Sequence, residues 1–165
     1  MLAKKTVVVL GITGGIAAYK AADIASKLTQ AGARVEVIMT ESATKFITPL
    51  TLRNITGRPV VTDMFDLASE YSVEHIALAE AAGAVLIAPA TANTVARLAA
   101  GIADNMLCSV VLATRAPIII APAMNDNMYR NSVTQENIAR LKARGFTFVD
   151  PGYGRLASGK MGQCR

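Results

Sequence analysis

An asparagine that follows a predicted buried strand is the first candidate for a ligand-binding side chain. The run 117–121 is short, apolar and rich in β-branched residues, which predicts a strand inside a parallel sheet. Pro122 ends this strand, and Asn125 follows after one small residue and one methionine. Ligands of open α/β sheets bind beyond the carboxyl ends of the strands. The segment 122–125 is therefore either a ligand-binding edge or a plain turn, since proline and asparagine are common turn residues.

A glycine turn between the first predicted strand and the first predicted helix could hold a phosphate. Positions 11–15 read Gly-Ile-Thr-Gly-Gly, and glycines there let backbone N–H groups approach an anion at a helix N-terminus. The spacing is neither G-x-G-x-x-G nor that of a P-loop, so a plain tight turn is the alternative. After the second strand, Glu41 could imitate the ribose-binding acid of dinucleotide enzymes. The hydroxyls of Thr40 and Ser42 favour a mononucleotide instead.

Two further features could add polar groups to such a site. Positions 89–94 read Pro-Ala-Thr-Ala-Asn-Thr and close another predicted strand, so they suit either a ligand edge or an N-cap turn. His75 is the only histidine, and histidine is the side chain that exchanges a proton near neutral pH. A lone histidine is often an ordinary surface or core residue. Because the chain lacks a set of residues with metal-ligand spacing, we interpret His75 as an acid/base or carboxylate-binding candidate and predict no metal site.

The elements that must position these residues alternate between strand and helix. Strands are predicted at 6–11, 34–39, 84–88, 117–121 and 146–149, and helices at 16–31, 46–56, 73–82, 94–100, 104–113 and 133–144. Residues 63–72 are predicted to form a loop, and Gly32 and Gly101 to end helices. The alternation predicts an α/β fold, a doubly wound and mostly parallel sheet with helices on both faces, as in flavodoxin-like or Rossmann-like three-layer proteins.

Composition and charge exclude several classes of protein. Hydrophobic residues make up 52% of the 165 residues and charged ones 18%, which suggests burial in subunit contacts as well as in a core. No apolar run approaches the ~20 residues of a membrane-spanning helix, and the start lacks the features of a signal peptide, so we expect a cytoplasmic protein. The net charge of +5 is scattered, which argues against nucleic acid. Cys108 and Cys164 are expected to be free thiols.

Several segments of the chain together resemble a known family. These segments are Gly14–Lys20, Thr40 with Phe46, His75, Ala90–Thr94, Gly101–Asn105, Pro122–Asn125 with Met128, and Ala157–Gly159. They resemble the homo-oligomeric flavin-containing cysteine decarboxylases, over essentially the whole chain and in order. Within that family the chain is most similar to the phosphopantothenoylcysteine decarboxylase domain of bacterial coenzyme A biosynthesis.

The resemblance implies a cofactor, a substrate, a set of site residues and an assembly. The implied substrate is 4′-phosphopantothenoylcysteine, and the implied assembly is a trimer or a dodecamer with the flavin site at a subunit contact. The FMN would be held by Gly14, Gly15, Ile16, Thr40, Phe46, Pro89, Ala90, Thr91, Ala92, Asn93, Thr94 and Ala123. The implied catalytic residues are His75, Asn125 and Ser158. The substrate would contact Asn125, Met128, Ala157, Ser158 and Gly159.

The implied chemistry accounts for these residue types. A cysteine carboxylate loses CO2 with difficulty, because the resulting carbanion has no electron sink. In the family, FMN first oxidises the thiol to a thioaldehyde, whose sulfur stabilises the charge left by CO2 and gives an enethiol. The amide donors of Asn125 suit the carboxylate, and His75 can accept or relay the thiol proton.

The closing segment departs from the family pattern at one functional position. Coenzyme A decarboxylases commonly carry Ala-Cys-Gly in a C-terminal substrate flap, here expected at about 151–165, whose cysteine protonates the enethiol while reduced FMN returns a hydride. Ser158 stands at that position, and Cys164 replaces a usual glycine. Ser158 with water could serve, Cys164 could substitute, or reduction could fail and leave an enethiol, as in lantibiotic peptidyl-cysteine decarboxylases. We favour Ser158, because the surrounding sequence still resembles a coenzyme A enzyme.

We expect residues 1–165 to form a single FMN-binding decarboxylase domain. Bacterial relatives usually continue into a CTP-dependent phosphopantothenoylcysteine synthetase domain, so a synthetase domain or partner is also implied. A flavin prenyltransferase shares the fold and FMN, but the segment 122–125 argues against it. A non-enzymatic, flavin-binding regulatory subunit is the other alternative, although such proteins usually carry a long acidic tail that this sequence does not show.

Overall fold

The central feature of the computed structural model is a parallel β-sheet. The structure describes residues 6–64, 74–150, 152, 154–155 and 161–162. Its sheet contains β1 (Val7–Ile12), β2 (Arg34–Met39), β3 (Val60–Val61), β4 (Ala84–Ala90), β5 (Ile118–Pro122) and β6 (Thr147–Phe148). The strand order is β3-β2-β1-β4-β5-β6, and every neighbouring pair is parallel. A separate antiparallel pair joins β7 (Gly154–Arg155) to β8 (Met161–Gly162).

Helices connect the strands and cover both faces of the sheet. They are α1 (Ala21–Gln30), α2 (Pro49–Thr56), α3 (Glu74–Ala81), α4 (Ala92–Ala100), α5 (Met106–Ala113), α6 (Asp126–Arg130) and α7 (Ser132–Ala143). One buried cluster includes Val9 and residues of α4, α5 and α7, and the other includes Leu10 with residues of α1 and α2. Adjacent residues of β1 thus face opposite layers, as the period of a strand requires. The predicted doubly wound α/β fold is confirmed.

Two predicted helices are shorter than their apolar patterns suggested. The segment predicted as helix 16–31 begins as a 3-10 helix, Ile16–Lys20, before α1. Gly15 provides no side-chain cap, and the first turn tightens so that Ala18 N–H donates to Gly15 O at 2.9 Å. Helix α2 begins at Pro49 and not at 46, because proline is preorganised for the first helical position. The 3-10 helix Ala43–Lys45 lies between β2 and α2.

Gly101 separates α4 from α5, as predicted. Its φ of +74° lies in the left-handed region, which glycine adopts without a steric cost. Helix α5 then places Cys108 in the core, where the residue is 1% exposed. Burial raises the pKa of the Cys108 thiol, so this group stays protonated and contributes as a small apolar side chain. Cys164 lies outside the described residues, as does most of the predicted loop 63–72.

A buried carboxylate on β2 is shared by two arginines. Glu36 is 7% exposed, and its Oε1 lies 2.7 Å from Arg34 Nε, which donates a hydrogen bond, and 2.7 Å from Arg58 Nε. The second contact is an ion pair without hydrogen-bond geometry, because Arg58 Nε donates no hydrogen bond to the described residues. Removing the charge of Glu36 would therefore leave two guanidinium groups without their anion.

Replacing Glu36 by glutamine is expected to lower the free energy of unfolding by about 1–3 kcal/mol. The larger cost of breaking a fully buried pair does not apply, since both arginines are partly exposed. Denaturant unfolding measures the change. Asp23→Asn is the matched control, because it breaks the exposed Asp23–Lys27 pair and should cost less than about 1 kcal/mol. Equal losses in the two variants would contradict the special role of Glu36.

Candidate functional site

A cleft of about 1090 Å³ opens at the carboxyl edge of the sheet. The chain order reverses between β1 and β4, the arrangement at which ligands bind in open α/β sheets. The turns that follow β1, β2, β4 and β5 all line the cleft. Eleven of the predicted site residues lie on it: Gly14, Gly15, Ile16, Thr40, Thr91, Ala92, Asn93, Thr94, Ala123, Asn125 and Met128.

The glycine turn after β1 presents backbone donors to the cleft. Within the part of the chain that the structure describes, the amides of Gly14, Gly15 and Ile16 donate no hydrogen bond to other backbone groups. Gly14 is packed against the turn after β2, since a Cβ built on it would lie 2.3 Å from Ser42 Cβ. Only glycine fits this approach, and the result is a cradle of free N–H groups of the kind that binds phosphate.

Thr13, which the sequence interpretation missed, joins the turns after β1 and β4. It is 1% exposed. Its Oγ1 donates to Pro89 O at 2.7 Å and accepts from the Thr91 amide at 3.0 Å. The Thr13 amide donates to the same Pro89 oxygen at 3.2 Å. No short-range pattern could reveal this role, because the partners lie 76 and 78 positions further along the chain.

The loop after β4 contributes both cleft residues and structural ones. Thr91 is the N-cap of α4, and its Oγ1 accepts from the Thr94 amide at 3.3 Å. Thr91, Ala92, Asn93 and Thr94 line the cleft. Pro89 and Ala90 are buried within β4 and do not line the cleft, and their contact with a cofactor stays a prediction.

Asn125 is held by the helix that it begins. Its Oδ1 accepts from the Asn127 amide at 2.9 Å, which caps α6. Its side chain is exposed in the cleft, and its Nδ2 donates no hydrogen bond to the described residues. Both N–H groups of this fixed carboxamide are therefore available to a ligand. Met128, one turn further along, lies on the same cleft and is 50% exposed.

A polar chain along the cleft was not anticipated. Arg97 forms an ion pair with Asp104, and its Nε donates to Asn93 Oδ1 at 3.4 Å. Asn105 caps α5 by accepting from the Cys108 amide, and its Nδ2 donates to Asp104 Oδ1 at 3.2 Å. The spacing of Asn93 and Arg97 on α4 is the signal that could have found this group.

Lys20 is the second basic residue that lines the cleft, together with Arg97. Its Nζ lies 6.0 Å from the centre of the Tyr19 ring, and it pairs with no carboxylate of the described residues within 4 Å. An uncompensated cation beside free amides favours an anionic ligand. A smaller cleft of about 470 Å³ shares Thr40 and Glu41 with the first and adds Asp63. Its acidic lining suits a phosphate less well.

Several predicted residues do not lie on the cleft of the described chain. His75 is half-buried near the start of α3 and does not line it. Phe46 is 51% exposed and does not line it either. Ala157, Ser158 and Gly159 lie outside the described residues, as does most of the predicted flap. The roles of these residues stay predictions.

Two comparisons of the sequence identify similar proteins. A family model described as Flavoprotein matches residues 1–165. A curated relative, the coenzyme A biosynthesis bifunctional protein CoaBC of Vibrio vulnificus, is 51% identical over 158 residues. That match covers 96% of this chain and 39% of the relative, so the chain spans about two fifths of the relative's length.

Solved structures with the same fold are similar over nearly the whole chain. One is the FMN-dependent cysteine decarboxylase SpaF, with a TM-score of 0.86 and 32% identity, covering 99% of this chain and 92% of that one. Another is a cysteine-to-serine mutant of PPC decarboxylase complexed with pantothenoylaminoethenethiol. Its TM-score is 0.87 at 32% identity, and the match covers 98% of this chain and 90% of that one.

Proposed function

Because the chain belongs to the Flavoprotein family, we propose that it is an FMN-dependent decarboxylase of 4′-phosphopantothenoylcysteine in coenzyme A biosynthesis. Similarity to the coenzyme A biosynthesis protein and to PPC decarboxylase supports this substrate. The observation that carries the proposal is the cleft itself. It combines free amides at one end with a fixed carboxamide, Asn125, at another.

The residues present fit an FMN cofactor. The amides of Gly14, Gly15 and Ile16 are proposed to bind its phosphate, because they donate no hydrogen bond to other described backbone groups. Thr40 and Ser42 line the cleft from the turn after β2, and their hydroxyls are proposed to bind the ribityl chain. When bound, FMN supplies the two-electron redox chemistry that lets a cysteine lose CO2.

Asn125 is proposed to hold the substrate carboxylate. Its Oδ1 is used by the α6 cap, so the side chain can present only its two N–H donors to the cleft. These donors match the acceptors of a carboxylate. Rotation of the amide is restricted, so the Asn125 side chain itself loses little entropy when it orients the carboxylate.

Mass spectrometry of the product tests the proposed function. The purified 165-residue protein is expected to be yellow and to convert 4′-phosphopantothenoylcysteine to a product that differs by loss of CO2 alone. A protein that retains no flavin after incubation with excess FMN and removal of the free flavin would contradict the flavin assignment. Retention of flavin without release of CO2 would instead favour a regulatory flavoprotein.

An oxidative decarboxylation is the second candidate, and the serine at position 158 favours it. A serine hydroxyl is a much weaker acid than a cysteine thiol, which would slow the protonation that completes the cycle. Loss of CO2 together with two hydrogens would identify the enethiol product.

We further propose that copies of the chain complete one another's clefts in a trimer or dodecamer. Ile16 and Tyr19 line the cleft, yet each is 61% exposed, and Leu50 on α2 is 63% exposed. Exposed apolar residues around a binding cleft mark an interaction surface. A second copy covering them could bring its His75 to the cleft, since this histidine does not line the cleft of its own chain.

A CTP-dependent synthetase partner and a cytoplasmic location are proposed from the curated relative.

Coexpression of two inactive variants tests this arrangement. His75→Asn and Asn125→Asp are each expected to be inactive alone. If each site combines Asn125 of one copy with the histidine of another, random mixing restores about a quarter of the sites. Activity of the purified mixture measures the recovery. Complete inactivity of verified mixed oligomers would show that both residues act from the same copy.

No helix within residues 6–64 and 74–150 is long and apolar enough to cross a membrane. The same residues contain no group of three histidine, cysteine, aspartate or glutamate side chains that could hold a metal ion. Polar groups of the cleft are instead amides, hydroxyls and a small number of charged side chains. Polar groups of these kinds can hold an organic cofactor through hydrogen bonds.

A further inference from the structure

Thr13 occupies a position that connects both halves of the candidate phosphate site. It immediately precedes Gly14, Gly15 and Ile16, whose amides donate no hydrogen bond to other backbone groups of the described residues. The same hydroxyl contacts Pro89 O and the Thr91 amide across the sheet. The two turns also lie close together, since a Cβ built on Gly15 would be 3.7 Å from Thr91 Cγ2. Any change in the Thr13 hydroxyl therefore acts on both turns.

We propose that Thr13 is a positioning residue that sets the affinity of the cleft for the flavin phosphate. The Thr13 hydroxyl accepts a hydrogen bond from the Thr91 amide and thereby fixes the separation between the glycine turn and the N-terminus of α4. Thr13 lies at the floor of the cleft, but its hydroxyl is already used by Pro89 O and the Thr91 amide, so we assign it a positioning role. This inference rests on the proposed FMN function, because it concerns how the same site discriminates a phosphorylated flavin.

Valine has nearly the shape of threonine but lacks the hydroxyl. A Thr13→Val variant would leave the Thr91 amide without its acceptor, and Pro89 O would keep only the backbone donor. The glycine turn after β1 would then relax, and the amides of Gly14, Gly15 and Ile16 would no longer converge on one anion. Serine keeps the hydroxyl and should preserve the arrangement. The expected defect is therefore specific to the phosphate and not to the ring system of the flavin.

Competition between FMN and riboflavin provides the test. The full chain with its bound flavin is equilibrated with mixtures of the two flavins, and the bound fraction is separated and quantified. Thr13→Val is expected to lower the preference for FMN over riboflavin at least about tenfold relative to wild type, whereas Thr13→Ser stays within about twofold. An unchanged preference in Thr13→Val would overturn the inference. Wild type that binds neither flavin would overturn the proposed function as well.

Thr114 offers a matched control. Its Oγ1 donates to Ala79 O at 2.9 Å and accepts from the Ala116 amide at 3.1 Å, the same pattern as Thr13, but it does not line the cleft. Thr114→Val should lower the thermal midpoint without altering the flavin preference. An equal loss of preference in this variant would show that a general destabilisation is sufficient and would overturn the inference. Should Thr13→Val fail to fold, Thr13→Ala is compared with Thr13→Ser by the same measurement.

Discussion

Replacing Asn125 by aspartate is expected to lower the decarboxylation rate by about 10²–10³-fold while the fold and the bound flavin remain. Aspartate is as good an N-cap as asparagine, so the hydrogen bond from the Asn127 amide is kept and α6 still forms. The two N–H donors are lost, and a negative charge is placed where the substrate carboxylate should bind. Turnover and flavin content are measured on the same preparation.

Asn131 provides the control for this substitution. It caps α7 by accepting from the Val133 amide at 3.0 Å and does not line the cleft. Asn131→Asp makes the same chemical change at the start of a neighbouring helix. It should leave turnover within about twofold of wild type, because aspartate caps equally well. Activity above a tenth of wild type in Asn125→Asp would contradict the proposed role of this carboxamide.

The second large effect is expected at the glycine turn. A methyl group at position 14 would lie 2.3 Å from Ser42 Cβ and 2.8 Å from the Ser42 carbonyl carbon. Such an approach requires the turn or its neighbour to move, because part of the obstruction is backbone. Gly14→Ala should therefore weaken FMN binding about ten- to a hundredfold, and the purified protein should be pale or colourless. Flavin titration of the apoprotein measures the affinity.

Gly15 separates this steric effect from a general intolerance of the turn. Its backbone is extended, with φ near −167°, and a Cβ there would be in ordinary contact with Thr91. Gly15→Ala should therefore fold with a thermal midpoint close to that of wild type. Gly14→Ala should show a clear decrease in the thermal midpoint of the apoprotein. Unchanged flavin affinity in Gly14→Ala would contradict the close approach of the two turns.

Short-range patterns predicted the sheet and one half of the site well. Strands β1, β4 and β5 were predicted from apolar runs, as is typical of strands inside a parallel sheet. Strand β2 was predicted from alternation, because it also carries Arg34 and Glu36. Asn125 and the glycine turn follow such strands directly, so the strand assignment also located them at the carboxyl edge. The family match, which covers residues 1–165, confirms the predicted membership of a flavin-containing family.

The rest of the cleft depends on contacts between distant parts of the chain. The role of Thr13 needs the register of β1 against β4, which a single sequence does not contain. Arg97 pairs with Asp104 across the turn between α4 and α5, a contact that depends on the backbone path at Gly101. His75 was predicted from its chemistry and from the family resemblance, and neither says from which copy of a chain it acts. The position of His75 outside the cleft of its own chain therefore supports the proposed contribution from a second copy.

The strand order has a consequence for the kinetics of folding. The turns that line the cleft come from both sides of the reversal between β1 and β4, so the cleft exists only after the chain has closed long loops. Non-local contacts of this kind form late and slowly. The flavin therefore cannot act as a template during collapse; it binds afterwards and favours the native state by mass action. Added cofactor should slow unfolding of the finished protein and leave its refolding rate unchanged.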